Sequence, residues 1–191
     1  MNKEDIKILF LDMDGVVNST QEENKWFDEK IKGGMSIAEA KDVFLKEFCN
    51  YTELIFPKHA NLVSKIVKET GCKIVWSSSW RKLIKYRRIS DAIDMFNRRG
   101  LPGNSLIAYT PDMNLYAYNP RGAEIKAFLD AYKREEYETS FIYGKIIKAV
   151  SLDDVYEAEV GVNGESKLFR TTMMYGLTDE IAEGVIKYLK E

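Results

Sequence analysis

The chain has 191 residues, of which 45% are hydrophobic and 30% charged, and its net charge at pH 7 is −2. This composition is ordinary for a globular protein, and the near-neutral balance argues against general adhesion to nucleic acid or membranes. The length predicts a single domain over residues 1–191. Two cysteines without a CxxC pair, no apolar run long enough for a membrane span and a polar N-terminus favour a cytoplasmic protein.

The first part of the chain predicts one buried strand followed by a helical insertion. Residues 6–11 are the first predicted strand, and its apolar run over residues 8–11 ends at two aspartates and a glycine, the pattern of a strand buried on both faces. Residues 19–56 then resemble a small insertion of short helices. Within it, Ser36 and Glu39 form a capping box that opens a helix.

The middle of the chain alternates helices with short strands. Pro57 opens a helix that ends at Gly71, and residues 73–76 form a second apolar strand that stops at three serines. Ser90 is predicted to cap a helix closed by Gly100, and residues 105–109 are a short strand candidate.

The last part repeats this alternation. Asn119-Pro120 is predicted to open a helix, and residues 146–152 form a strand that ends at two aspartates. Residues 155–170 alternate around Asn163-Gly164, which is a hairpin signal, and Thr178 caps the last helix. The pattern predicts an α/β protein with a doubly wound, Rossmann-like, mostly parallel sheet, helices on both faces and a small helical cap insertion.

Polar side chains follow three of the predicted strands. Asp12 and Asp14 follow the first, Ser77 the second, and Asp153-Asp154 the later one. Because the carboxyl ends of parallel strands share one edge of the sheet, where ligands bind, we expect these groups to converge. Carboxylates that lie so close together repel each other unless a cation lies between them. Hard divalent cations prefer carboxylate ligands.

The ordered motifs resemble the haloacid dehalogenase-like (HAD) superfamily of phosphohydrolases. Those motifs are Asp-Met-Asp-Gly, an apolar strand with serine, a basic residue (Arg121) at a helix start, and an apolar strand with Asp-Asp. More narrowly, Leu-Asp-Met-Asp-Gly-Val-Val-Asn, Ser-Ser-Ser-Trp-Arg, Arg-Gly-x-Glu-Ile, Leu-Asp-Asp and Gly-Leu-Thr resemble a branch that includes the HAD domains of RNA-repair proteins.

The resemblance implies a role for each matched residue. Asp12 would be the nucleophile and Asp14 the general acid and base, while Gly15 lets the backbone turn. Ser77, with Ser78 as the alternative, would bind a phosphoryl oxygen, and Arg121 would replace the family's usual lysine. The metal would be Mg²⁺, held by Asp12, the backbone carbonyl of Asp14, and Asp154 or Asp153. Val16 stands where most of these phosphatases carry threonine.

Several residues have two interpretations. Arg81 is a candidate bidentate partner of a substrate phosphate, or else part of a surface ion pair. The basic stretch 81–88 suits a nucleotide or nucleic-acid end, but a solvated helix face is favoured. Packing is favoured over base stacking for Tyr109, Tyr116 and Tyr118, and a structural role is favoured for His59, the one histidine.

These features predict a Mg²⁺-dependent phosphohydrolase for a phosphorylated small molecule or nucleotide, with a nucleic-acid end as a further candidate substrate and no membrane partner. Another enzyme on the same scaffold, a phosphomutase or a dehalogenase, is the first alternative, and a dehalogenase would not need Asp14. A phospho-ligand-binding or regulatory module without turnover is the alternative from another class. The sequence indicates neither the oligomeric state nor the physiological substrate.

Overall fold

A computed structural model describes residues 5–49, 51–86, 88–113, 121–133, 144–160 and 166–191. Within these residues the centre is a sheet of five parallel strands in the order β3-β2-β1-β4-β5. The strands are β1 (Asp5–Leu11), β2 (Lys73–Trp76), β3 (Leu106–Tyr109), β4 (Lys145–Asp153) and β5 (Lys167–Arg170). The predicted parallel α/β architecture is therefore confirmed.

Alternate residues of the strands pack into two separate hydrophobic cores. Leu9 and Leu11 of β1 point into one core with α3 (Pro57–Thr70), α4 (Ile89–Arg98) and α6 (Asp179–Lys190). Ile8 and Phe10 point into the other with α5 (Arg121–Lys133). This division follows from the two-residue period of a strand, and it places helices on both faces of the sheet as predicted.

The predicted helical insertion contains α1 (Thr20–Lys32) and α2 (Ile37–Glu47). Ser19 caps α1 by accepting from the Glu22 N–H, and Ser36 and Glu39 form the expected capping box at α2. The two helices are joined by aromatic packing of Trp26 and Phe27 on Phe44. The N-terminus of α1 also docks on a C-terminal loop, because the N–H groups of Thr20 and Gln21 donate to the carbonyls of Met173 and Met174.

The predicted start of the fourth helix differs from the structure. Helix α4 begins at Ile89, with Arg88 rather than Ser90 at its N-cap. The Asp91 N–H already donates to the Arg88 carbonyl, so the helical turn precedes Ser90. The start that was predicted at Asn119-Pro120 lies outside the described residues.

The predicted hairpin over 155–170 is wrong for its second half. Val160 and Ser166 do form an isolated antiparallel bridge, and residues 161–165 lie outside the described residues. Residues 167–170, however, pair in parallel with β4. The edge of β4 offers unpaired backbone groups, and parallel pairing as β5 satisfies them. Among the described helices none is both long and apolar enough to cross a membrane.

Candidate active site

The ends of the three inner strands are held in register by backbone hydrogen bonds just past the sheet. The Asp12 N–H donates to the Leu152 carbonyl at 3.0 Å, and the Ser77 N–H donates to the Leu11 carbonyl at 2.9 Å. Because β1 lies between β2 and β4, Asp12, Ser77 and Asp153 come to the same edge of the sheet. This convergence is the one that the strand-end pattern predicts.

Three carboxylates form one acidic cluster at this edge. Oxygen atoms of Asp12, Asp153 and Asp154 all lie within 4.8 Å of one another. Asp12 and Asp153 are buried and Asp154 is half-buried. Burial raises the pKa of all three above the ordinary aspartate value, and the charge of Asp12 raises the pKa of Asp153 further. The cluster is therefore a place where a cation would lower the free energy of ionisation.

Arg121, the first residue of α5, partly neutralises this cluster. Its Nη2 lies 3.4 Å from Oδ1 of Asp12 and its Nε lies 3.2 Å from Oδ2 of Asp153. Its Nη1 donates to Oγ of Ser77 at 3.4 Å. One guanidinium thus joins the ends of β1, β2 and β4, and its role in offsetting charge on a transferred phosphoryl group stays a prediction.

The two serines that follow β2 contact different residues of the site. Ser77 contacts Arg121, whereas the Ser78 side chain hydrogen-bonds Asp12, which lowers the pKa of that carboxyl against the larger effect of burial. Ser78 Oγ also accepts from the Trp80 N–H. Both hydroxyls are buried at the site, so the choice between them as the phosphate-binding serine stays a prediction.

Gly15 makes the close approach of two loops possible. It has a positive φ of 69°, and a Cβ atom placed on it would lie 2.8 Å from Oδ2 of Asp154. A glycine is therefore required both by the turn and by the carboxylate. Asp154 lies against this turn, whereas Asp153 accepts from Arg121 and from the Val155 N–H. These contacts favour Asp154 over Asp153 as a metal ligand.

Asp14 has surroundings different from those of the acidic cluster. Oδ2 accepts from the Trp80 indole N–H at 2.9 Å, and Oδ1 accepts from the Asn18 amide at 2.9 Å. Sequence reasoning did not assign a role to Trp80 or Asn18. The available signal was their place inside the motifs Ser-Ser-Ser-Trp-Arg and Asp-Gly-Val-Val-Asn.

Arg81 is placed differently from either interpretation of the sequence. It is buried, and its Nη2 lies 2.6 Å from Oε2 of Glu124, which is buried as well. Its other hydrogen bonds go to the carbonyls of Ser78, Thr110 and Pro111. These contacts favour a structural role, in which Arg81 ties the Ser78 loop to α5, over contact with a substrate phosphate or a solvated ion pair.

The basic stretch after β2 is engaged in ion pairs wherever it is described. Lys82 pairs with Asp112, Lys85 with Glu53 and Arg88 with Asp91, while Arg87 lies outside the described residues. The favoured prediction of a solvated helix face agrees with the exposed pairs of Lys82, Lys85 and Arg88, whereas Arg81 is buried. The Tyr109 hydroxyl donates to the Tyr86 carbonyl and so anchors a loop; Tyr116 and Tyr118 are not among the described residues.

His59 is buried and bridges two segments away from the acidic cluster. Its Nδ1 lies 2.8 Å from the Leu177 carbonyl, so this nitrogen carries the donated proton, and Nε2 lies 3.0 Å from Oγ of Ser19. These contacts support the structural role favoured from the sequence.

Comparison with known proteins agrees with this geometry. The family model described as the HAD domain in Swiss Army Knife RNA repair proteins matches residues 8–182. No curated protein matches the chain. The match covers all the motifs at the strand ends and all five strands apart from the first residues of β1. The chain therefore belongs to the family of HAD domains found in Swiss Army Knife RNA repair proteins.

Proposed function

We propose that this protein is a Mg²⁺-dependent phosphomonoesterase that acts through an aspartyl-phosphate intermediate. The observation that carries the proposal is the Asp12–Asp153–Asp154 cluster with Arg121 beside it, at the ends of β1 and β4. HAD membership supports a phosphohydrolase scaffold. A buried nucleophilic carboxylate next to a fixed cation is the arrangement that phosphoryl transfer needs.

The acidic cluster fits a hard divalent cation. The three carboxylates supply oxygen ligands within one ion's reach, and their raised pKa values show that burial penalises their charges. Asp12 and Asp154, with the Asp14 carbonyl, would hold Mg²⁺, and Asp153 would remain with Arg121. When bound, Mg²⁺ would offset the negative charge shared by the nucleophile and the phosphate.

The residues of the chain then divide the reaction between them. Oδ of Asp12 attacks phosphorus as the bond from phosphorus to the leaving oxygen breaks, and Asp14 protonates that oxygen. Ser77 or Ser78 donates a hydrogen bond to the phosphoryl group, and Arg121 stabilises its charge. In the second step Asp14 accepts a proton from water as water attacks phosphorus and Asp12 leaves.

A nucleotide or a nucleic-acid end is the substrate class we propose. Two observations support it. The first is that the matching family consists of HAD domains from RNA repair proteins. The second is that the insertion over 19–56 contains only two helices in its described part, which would make a small cap. A small cap leaves room for a large substrate, whereas a large one encloses small metabolites.

A phospho-ligand-binding module without turnover is the second candidate. It is favoured by one observation: Arg121 already pairs with Asp12 and Asp153, so part of the buried charge is balanced without any metal. Such a module would bind phosphate groups through Arg121 and the serines but would not form a covalent intermediate.

Hydrolysis of an aryl phosphate with and without Mg²⁺ tests the proposal. We expect turnover only with the ion, its loss in Asp12→Asn, and its retention in Asp5→Asn, which removes an exposed carboxylate at the far end of the same strand. Beryllofluoride should occupy Asp12 of the wild type and inhibit it. Phosphate-ester binding without turnover, and without any effect of Mg²⁺, would support the binding module instead. A substrate screen should then compare nucleotides, sugar phosphates and phosphorylated RNA ends.

A further inference from the structure

Both oxygens of the Asp14 carboxylate are held by side chains from two different segments. The Trp80 indole Nε1–H donates to Oδ2 and the Asn18 amide Nδ2–H donates to Oδ1, each at 2.9 Å. A carboxylate with one donor on each oxygen is restricted in both rotation and position. The residue in the acid position of the motif is thus oriented in advance by its neighbours.

The donor from Trp80 is itself rigidly placed. Trp80 lies in a short 3₁₀ turn, Ser79–Lys82, its N–H donates to Oγ of Ser78, and its side chain is buried in the larger core. A buried indole has few rotamers available and a single N–H. The direction in which Trp80 donates is therefore set by packing rather than by Asp14.

Asn18 is fixed by a second hydrogen bond. Its Oδ1 accepts from the Gly15 N–H at 2.9 Å, which determines which end of the amide faces Asp14. Asn18 thereby closes the turn that carries both Asp14 and Gly15. One side chain links the acid position to the turn that packs against Asp154.

We infer that Trp80 and Asn18 are positioning residues that hold the Asp14 carboxyl for proton transfer to the leaving oxygen. This inference rests on the proposed function. In the first step the bond between Asp12 and phosphorus forms, the bond to the leaving oxygen breaks, and the Asp14 proton moves to that oxygen. Asp14 recovers a proton from water in the second step, so the cycle is balanced.

The inference predicts a dependence on the leaving group. An alkoxide needs its proton in the transition state, whereas a nitrophenolate leaves without much help. We compare the rates as kcat/KM, which reports the first step alone, because Asp14 is also the base of the second step that both substrates share. In that comparison a misplaced acid should slow alkyl phosphates selectively, while general loss of packing slows both classes. Proton transfer by a positioned side chain accelerates a reaction by about 10²–10⁴-fold. An Asp14 carboxyl that is no longer held in place should lose part of that acceleration.

The decisive variant is Trp80→Phe, which removes the indole N–H but keeps an aromatic ring. We expect kcat/KM for an alkyl phosphate to fall on the order of 10- to 100-fold. For p-nitrophenyl phosphate we expect kcat/KM to change by less than about threefold. Asn18→Ala should show the same selectivity, and it provides an independent variant if Trp80→Phe does not fold.

Trp76→Phe is the matched control. Trp76 belongs to the same core, and its buried indole Nε1 has no hydrogen-bond partner within the described part of the chain. The substitution therefore makes a similar change in packing without removing a donor from Asp14. We expect it to change the rates for the two substrates by the same factor.

Two results would overturn the inference. One is an equal loss on alkyl and aryl phosphates in both Trp80→Phe and Asn18→Ala, and the other is selective loss in Trp76→Phe. In each case the wild type would still turn over and accept beryllofluoride at Asp12, so the proposed function would survive. A wild type without Mg²⁺-dependent turnover would instead remove the proposed function, and this inference with it.

Discussion

Gly15 and Asp154 are packed so closely that no side chain fits between them. A Cβ atom on Gly15 would lie 2.8 Å from Oδ2 and 2.9 Å from Cβ of Asp154. The turn after β1 and the loop after β4 therefore meet at a glycine. The position of the Asp154 carboxylate therefore depends on the absence of a side chain at Gly15.

We expect Gly15→Ala to displace Asp154 and to reduce Mg²⁺-dependent activity at least tenfold. Gly71→Ala is the matched control, because Gly71 has the same φ of 69° but no atom of the described residues within 4 Å of the added Cβ. A left-handed alanine costs about 1–2 kcal/mol at either site. Thermal unfolding measures the backbone cost that the two variants share, and the rate of phosphate-ester hydrolysis measures the additional effect of displacing Asp154. Equal activity in the two variants would contradict the packing argument.

Asp12→Asn should lose the stabilisation by Mg²⁺ without destabilising the metal-free protein. Burial raises the pKa of Asp12, so its ionised form costs free energy near neutral pH and the neutral amide avoids that cost. We expect the metal-free variant to be as stable as the wild type or about 1 kcal/mol more stable. At 100 times its Kd, Mg²⁺ should stabilise the wild type by about 2.7 kcal/mol.

Thermal unfolding with and without Mg²⁺ measures both effects. Asp91→Asn is the control, because Asp91 forms an exposed pair with Arg88 on α4. Stabilisation by Mg²⁺ that survives in both Asp12→Asn and Asp154→Asn would show that the ion binds elsewhere.

Arg81→Met should be strongly destabilising but should leave substrate binding little changed. The substitution leaves the buried Glu124 carboxylate without its cationic partner. Breaking a buried ion pair lowers the free energy of unfolding by about 3–5 kcal/mol. Arg88→Met, which breaks the exposed pair with Asp91, should cost less than about 1 kcal/mol. Urea unfolding gives these values.

The same variants test the role first predicted for Arg81. If Arg81 binds a substrate phosphate, its loss raises KM many-fold with only a small change in stability. If it ties the Ser78 loop to α5, the free energy of unfolding falls and KM of the folded fraction changes little. Glu124→Gln, which keeps the shape and removes the charge, should reproduce the loss of stability to a smaller extent.

His59 should make stability fall in mild acid. Burial lowers the pKa of His59 below 6.5 in the folded protein. Below pH 6.5 the unfolded chain takes up a proton that the folded protein does not, so the free energy of unfolding decreases as the pH falls towards the folded-state pKa. The slope from this group is at most about 1.4 kcal/mol per pH unit.

Urea unfolding between pH 7.5 and 5.5 measures this slope. Because His59 is the single histidine of the chain, the difference between the wild type and His59→Asn isolates it. Asparagine keeps a donor near the Leu177 carbonyl but does not titrate. The same slope in both proteins would mean that His59 does not contribute to it.

Local physics in the sequence determined most of the elements. Apolar runs specify β1, β2 and β4 because a strand buried on both faces needs them, and Ser36 and Thr178 mark helix starts because their side chains satisfy free N–H groups. The convergence of Asp12, Ser77 and Asp153 followed as well, since parallel strands end at one edge.

The partners of individual polar side chains were decided by the tertiary structure alone. The local sequence around Arg81 would be the same if its side chain faced water, whereas in the structure it pairs with the buried Glu124. The local sequence around Trp80 also does not indicate that its indole N–H donates to Asp14. Likewise, parallel pairing of β5 with β4 depends on a free sheet edge. Periodicity encodes which face of an element is buried, whereas contacts between distant residues depend on how the elements pack together.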